Sequence, residues 1–256
     1  MIKEQWIGLI TIGRKEVSRI FRIWIQTLLP SVITITLYFV IFGSFLGKRI
    51  GQIQNISYLD FIAPGLILMA VLNNSYYNVV SSFFSAKFGK NVEELLISPL
   101  SPSMIILGYV SGGMARGLIT GILVTGISMF FTTLSIYKLW VVIATLILTS
   151  LVFSIAGFIN ALFSRKFDDV TIVPTFILTP LIYLGGIFYS IDSLSPFWQT
   201  VSKFNPILYI INTFRFGFFG ISDIPVMESL GALTVATIIL WVTAHQMLRR
   251  GYGTNL

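Results

Sequence analysis

The chain has 256 residues, of which 55% are hydrophobic and only 11% charged, with no cysteine and one histidine, His245. Soluble domains carry about 25% charged residues, so an ordinary soluble protein is excluded, and the missing cysteines exclude a disulfide framework and argue against a Cys/His metal site. The net charge of +7 comes from cations that flank apolar runs, a pattern of membrane topology rather than of nucleic-acid binding.

Residues 1–23 are charged throughout (Lys3, Glu4, Arg14, Lys15, Glu16, Arg19, Arg22) and lack the compact apolar core of a cleavable signal peptide. Trp6, Leu9, Ile10, Ile12, Val17, Ile20 and Phe21 are too frequent for a solvated basic tail. The expectation is an amphipathic helix on the membrane surface, its cations facing anionic headgroups.

A membrane-crossing helix needs about 20 mostly apolar residues. Six runs qualify: 24–46, 59–84, 104–131, 139–163, 171–188 and 228–248, leaving 251–256 as a short tail. With the N-terminus inside, the flanks place 11 Lys/Arg on the cytoplasmic side and 5 outside, with Arg116 left within a span. Both termini are therefore expected in the cytoplasm. The fold class is an all-α, multi-pass membrane protein.

Between spans two and three stands KFGKNVEELLISPLSP, residues 87–102. Asn91 suits an N-cap, Glu93 and Glu94 favour the positive end of a helix, and Pro99 stops it by restricting Ser98. A helix of two turns is marginal in water and must pack on something. Leu95, Leu96 and Ile97 give it an apolar patch. It either rests on the headgroups or forms a knob for a groove on a cytoplasmic protein. Two acids beside an anionic surface favour the knob, with Leu95 and Leu96 as anchors or as membrane contacts.

Span three holds SGGMARGLITG. Gly113, Gly117 and Gly121 recur every four residues and make a smooth face for close helix packing. Arg116 lies roughly 18 Å into a helix that begins at Met104. It belongs either to a translocation pathway, where it would pair with a phosphate-bearing substrate, or to the inner interface of an extended helix. Asn73, Asn74, Ser75 and Asn78 put amides and a hydroxyl into span two, as packing glue or as pathway lining.

After span five, residues 185–220 read GGIFYSIDSLSPFWQTVSKFNPILYIINTFRFGFFG, too polar and punctuated to cross. Ser193 and Pro196 suit the start of one short helix; Asn205 as N-cap with Pro206 next suits a second. The stretch reads as a helical hairpin dipping into the outer leaflet, with Gly185 and Gly186 breaking span five to admit it, or as an aromatic belt.

No GxxxxGK[ST] loop occurs: Gly47-Lys48 is followed by Arg49 and Gly89-Lys90 by Asn91. Asp168 with Asp169 reads as a solvated charge cluster and His245 as a packed or interfacial residue. No catalytic constellation is expected. Few ionisable residues lie in the spans and no two-fold repeat is visible, which disfavours the alternative of an ATPase-independent secondary transporter or channel.

The glycine pair followed by Pro206, Ile207, Tyr209 and, after five more residues, Arg215 resembles the signature of ABC-2 type transport permeases. FRIWIQTLLPSVITITLYFVIFG, NVEELLISPLSP and SRKFDDVTIVPTFILTPLIYLGGIFYS are similar to a branch of that family in the inner membrane of Gram-negative bacteria. The resemblance covers the whole chain. It implies the membrane subunit of an exporter for an amphipathic, lipid-like or glycan substrate, working as a homodimer with two copies of a separate ATPase. ATP and Mg2+ would sit on that partner, and this chain would bind no cofactor of its own. The helix over about Asn91 to Ser98 would be the coupling helix on which the ATPase docks, through Asn91, Glu93, Glu94, Leu95 and Leu96.

Overall fold

The computed structural model describes residues 2–53, 56–222 and 224–253. The chain opens with α1 (Ile2–Arg22), breaks at Ile23 and resumes as α2 (Trp24–Thr27) and α3 (Leu29–Ile41). A π-helical turn over Phe42–Gly47 and the short α4 (Lys48–Ile50) lead to a two-stranded ribbon, β1 (Gln52–Ile53) against β2 (Ile56–Ser57). The strands are antiparallel, with Gln52 opposite Ser57.

The central helix is α5 (Tyr58–Phe88), 31 residues or about 46 Å long. Ser57 caps it by accepting from the Asp60 amide at 3.2 Å. Next come α6 (Asn91–Ile97), α7 (Pro102–Ser128) and α8 (Leu139–Phe163). The rest is α9 (Phe167–Val173), α10 (Thr179–Tyr183), a 3-10 turn at Ile191–Ser193, α11 (Pro196–Lys203), α12 (Pro206–Phe219) and α13 (Val226–Arg249).

Five of these stretches, among the described residues, are long and apolar enough to cross a membrane: Trp24–Ile41, Tyr58–Phe88, Pro102–Ser128, Leu139–Phe163 and Val226–Arg249. The run expected at 171–188 is instead broken. Helix runs from Phe167 to Tyr183, with a π segment at Pro174–Leu178 in its middle. The cause is local. Pro174 has no N–H to give the Val170 carbonyl, and the Asn160 side chain supplies that bond at 3.0 Å. The Thr179 amide then reaches back five residues to the Pro174 carbonyl, which is π geometry.

α5 is buried over most of its surface; Phe61, Leu66, Val71, Tyr76, Val79 and Phe83 are fully enclosed. α7 and α8 close on it through glycines. A Cβ on Gly113 would lie 2.5 Å from Val79 Cγ2, one on Gly117 would collide with Ser75 Oγ, and one on Gly157 would meet the Tyr76 carbonyl at 2.5 Å. Outer helices keep apolar faces outward instead: Ile33 and Leu37 on α3, Val235, Ile238 and Ile239 on α13. Such faces suit hydrocarbon.

α1 lies along α7 with Ile12, Glu16 and Ile20 buried, while Trp6, Ile7, Ile10 and Phe21 are exposed. Gly108 and Gly112 admit it: Cβ atoms there would fall 2.6 Å from Ile12 Cγ2 and against Glu16 Cβ. Residues 254–256 of the expected tail, and the side chains of Leu46 and Lys48, lie outside the described set.

Candidate functional site

The residues singled out in the sequence gather in three places along the long axis of α5. At one end stands α6. Lys87, in the last turn of α5, donates to the carbonyls of Leu162 at 3.0 Å and Ser164 at 2.5 Å, tying the end of α5 to the end of α8. The chain then turns through Lys90, whose φ of 61° makes it the one non-glycine residue in the left-handed region among the described residues. Lys90 occupies the N-cap position and Asn91 is the first helical residue, so Asn91 does not cap as expected; no side chain caps this end. The left-handed turn places the cap one residue earlier.

Val92 is buried and Leu95 is half-buried against the core, so both anchor α6 to the body. Leu95 thus packs in part against the body of the chain. Glu93, Glu94 and Leu96 point away, and Ile97, which sequence reasoning left out of the docking set, is 86% exposed. The helix closes with the Ser98 amide on the Glu94 carbonyl at 3.2 Å. The segment after it is clasped by α1: Gln5 Nε2 donates to the Pro99 carbonyl, and the Ser101 amide donates to Gln5 Oε1 at 2.8 Å. Gly8 leaves room for the Leu100 side chain, which a Cβ there would strike. The apolar tip is thus held on a rigid base made by α1, α5 and α8.

Midway along α5 is a polar cleft of about 340 Å3, lined in part by Gln26, Ser31, Thr34, Asn73, Tyr77 and Thr179, with Arg116 in its wall. Arg116 Nε donates to Asn74 Oδ1 at 3.0 Å and its Nη2 to the Thr27 carbonyl at 2.9 Å. That carbonyl lies where α2 gives way to α3. Asn74 in turn donates to Ser31 Oγ at 2.8 Å and to the Ala70 carbonyl at 2.9 Å. Asn74 is buried and Asn73 half-buried, so these neighbours divide into a strut and a lining residue.

The polar row continues along α5 at intervals of four. Asn78 Oδ1 accepts from Arg19 Nη2 at 3.0 Å, and Ser82 Oγ donates to Glu16 Oε1 at 2.6 Å. Glu16 and Arg19 pair at 3.1 Å, with Glu16 fully buried. Sequence reasoning placed the Arg19 charge among headgroups; the structure turns it inward against α5. An acid among the cations of residues 14–22, four-spaced with Ile12 and Ile20, was the available signal.

At the far end the glycine pair, Pro206, Tyr209 and Arg215 form a clasp. Gly186 has φ of 75°, a conformation open to glycine. Its carbonyl accepts from Arg215 Nη2 at 2.9 Å, and Arg215 Nε reaches the Phe61 carbonyl at 3.3 Å. The guanidinium lies 3.7 Å over the Phe61 ring. A Cβ on Gly185 would sit 3.0 Å from Ile207 Cγ2. Asn205 caps α12 by accepting from the Ile207 amide at 3.0 Å, and its amide donates to the Leu181 carbonyl at 2.6 Å. Pro206 stands at the first helical position, and Tyr209 Oη donates to the Lys203 carbonyl at 2.8 Å. Asp60, at the same end, accepts from the Thr133 amide at 2.8 Å and holds the segment after α7. His245 pairs with Ser103 at 3.0 Å and is a packing residue.

Apolar spans around a central helix, a cleft midway along it and a protruding short helix describe a multi-pass membrane protein. The sequence profile of the ABC-2 type transporter family matches residues 8–219, and the chain belongs to that family. Over 254 residues, covering 99% of both chains, it is 52% identical to Inner membrane transport permease YadH of Escherichia coli K12. It is also 24% identical over 213 residues to Nodulation protein J of Rhizobium leguminosarum bv. trifolii, covering 81% of this chain and 80% of that one. The same protein of Rhizobium meliloti is 22% identical over similar coverage.

Proposed function

We propose that this chain is the membrane half of an exporter driven by a separate ATPase, which docks on α6. The observation that carries the reading is the split of α6 into an inner edge, Val92 and Leu95, and an outer edge, Glu93, Glu94, Leu96 and Ile97. A large apolar residue left 86% exposed beside two carboxylates fits an interface: the apolar group supplies an anchor and the acids select a basic groove. Residues 171–188 serve as a sixth, broken crossing, and α11 with α12 as an outer hairpin. Both termini then face the cytoplasm of the inner membrane, the compartment in the name of the permease YadH.

Two copies would face each other across the polar cleft. Against hydrocarbon, Gln26, Thr34 and Asn73 would each lose hydrogen bonds; a second copy and a water-filled route between them removes that cost. In that pathway Arg116, already oriented by Asn74 and Thr27, presents its remaining donors to a phosphate or another acidic group. The aromatic cluster of Tyr38, Phe42, Tyr183 and Phe188 gives the outer half of the route faces for an amphipathic, lipid-like or glycan cargo. Gly113 and Gly117 act in packing.

The test is co-purification. Tagged chain drawn gently from its native membrane brings an ATP-hydrolysing subunit with it, and Glu94→Arg weakens that association about tenfold or more, the range for losing an interface anchor. An equal yield of ATPase with both chains would refute the docking site.

A further inference from the structure

A second polar cavity, distinct from the Arg116 cleft, opens between α1, α5 and the start of α6. It measures about 200 Å3 and is lined by Lys15, Arg19, Ser82, Ser85, Ala86 and Asn91. Five of these six are polar, in a chain that is 55% hydrophobic, and both charges in the lining are positive. Behind them Glu16 is fully buried and engaged by Ser82 and Arg19, and Lys15 is exposed. Arg19 Nε is buried without a hydrogen-bond partner among the described residues. Lys15 Nζ lies 5.9 Å from the Tyr109 ring, on the wall that α7 contributes. At about 30 Å3 per water, the cavity holds several waters or one tetrahedral anion.

We propose that this pocket binds the phosphate of an anionic phospholipid from the cytoplasmic leaflet. Two considerations favour a lipid over a soluble anion in this pocket. It lies at the end of α5 that precedes α6, hence at headgroup level in the orientation proposed above. Basic pockets on the cytoplasmic side of helix bundles select anionic headgroups. A bound headgroup would bridge α1 to Asn91, so the lipid would brace the base of the docking helix. The inference rests on the proposed orientation but not on the ATPase, and lipid retention is measured on this chain alone.

The experiment counts bound phosphatidylglycerol against phosphatidylcholine on the purified chain by native mass spectrometry. Lys15→Glu and Ser85→Asp put a carboxylate into the pocket while leaving Glu16 and Arg19 themselves unchanged; Arg14→Glu makes the same charge change as Lys15→Glu at the neighbouring residue, which is outside the pocket lining. The expected result is a loss of phosphatidylglycerol affinity of about fivefold or more with each pocket variant, the size for one cation near the surface, and little change with Arg14→Glu. Lys15→Gln keeps the test readable if a carboxylate variant fails to fold. Equal losses at Lys15 and Arg14 would overturn the pocket in favour of general surface attraction. Displacement of the lipid by millimolar inorganic phosphate would overturn the lipid assignment and leave a soluble-anion site.

Discussion

Arg215 shows how one buried charge organises the end of the molecule at which α5 begins. It is 3% exposed and is matched by the Gly186 and Phe61 carbonyls and the Phe61 ring, so the turn after α10, the start of α5 and α12 share one fastener. Hydrogen bonds to a charged group are worth about 1.5–3 kcal/mol. Arg215→Ala should therefore cost about 2–3 kcal/mol, seen as a lower thermal midpoint in detergent. Arg215→Lys should recover only part, because an ammonium lacks the planar fork. Asp169 gives a pH-dependent counterpart. The amides of Arg165 and Lys166 donate to its carboxylate at 2.8 and 3.0 Å and hold its pKa below the usual Asp value. A depressed folded-state pKa stabilises above the unfolded value and is lost as pH falls through the folded one. Hydrogen-exchange protection at the start of α9 should thus persist at neutral pH and fade below about pH 4; Asp169→Asn, which keeps an acceptor oxygen but does not titrate, should show no such loss with pH. The signature spacing made Arg215 legible in the sequence, but its partners were not, because Gly186 and Phe61 lie 29 and 154 positions away.

At the scale of elements, the helices were readable from hydropathy and their contacts were not. Span lengths follow from apolar runs, and the Asn205–Pro206 start of α12 follows from capping chemistry. The π segment at Pro174–Leu178 was hidden because it depends on Asn160, in another helix, answering a carbonyl that Pro174 leaves open. Lys90 as cap was hidden too, since a left-handed lysine is an unlikely choice from propensity alone. The docking of α1 along α7 rests on Gly108 and Gly112, a second glycine face beside the Gly113, Gly117 and Gly121 face that receives α5. Gly112→Val should push Glu16 out of its place, at about 1–3 kcal/mol for overpacking. Hydrogen exchange should then quicken across α1 while α5 and α8 remain protected. Uniform loosening of all three helices would show that α1 is not a separable brace.

Across the whole molecule, α5 runs between two specialised ends: the clasp held by Arg215 and the knob carried on α1, α5 and α8, with the Arg116 cleft between them. Along α5 between cleft and knob lie two separate polar clusters, Arg116 from α7 on Asn74 and the Arg19–Glu16 pair of α1 on Asn78 and Ser82. The chain has no native cysteine, so a single thiol reports one contact cleanly. Ile97→Cys, carrying a short cross-linker in native membranes, should capture an ATP-hydrolysing subunit, whereas Val235→Cys on the exposed face of α13 should not. Capture of lipid alone at position 97, with the transporter still active, would contradict the account.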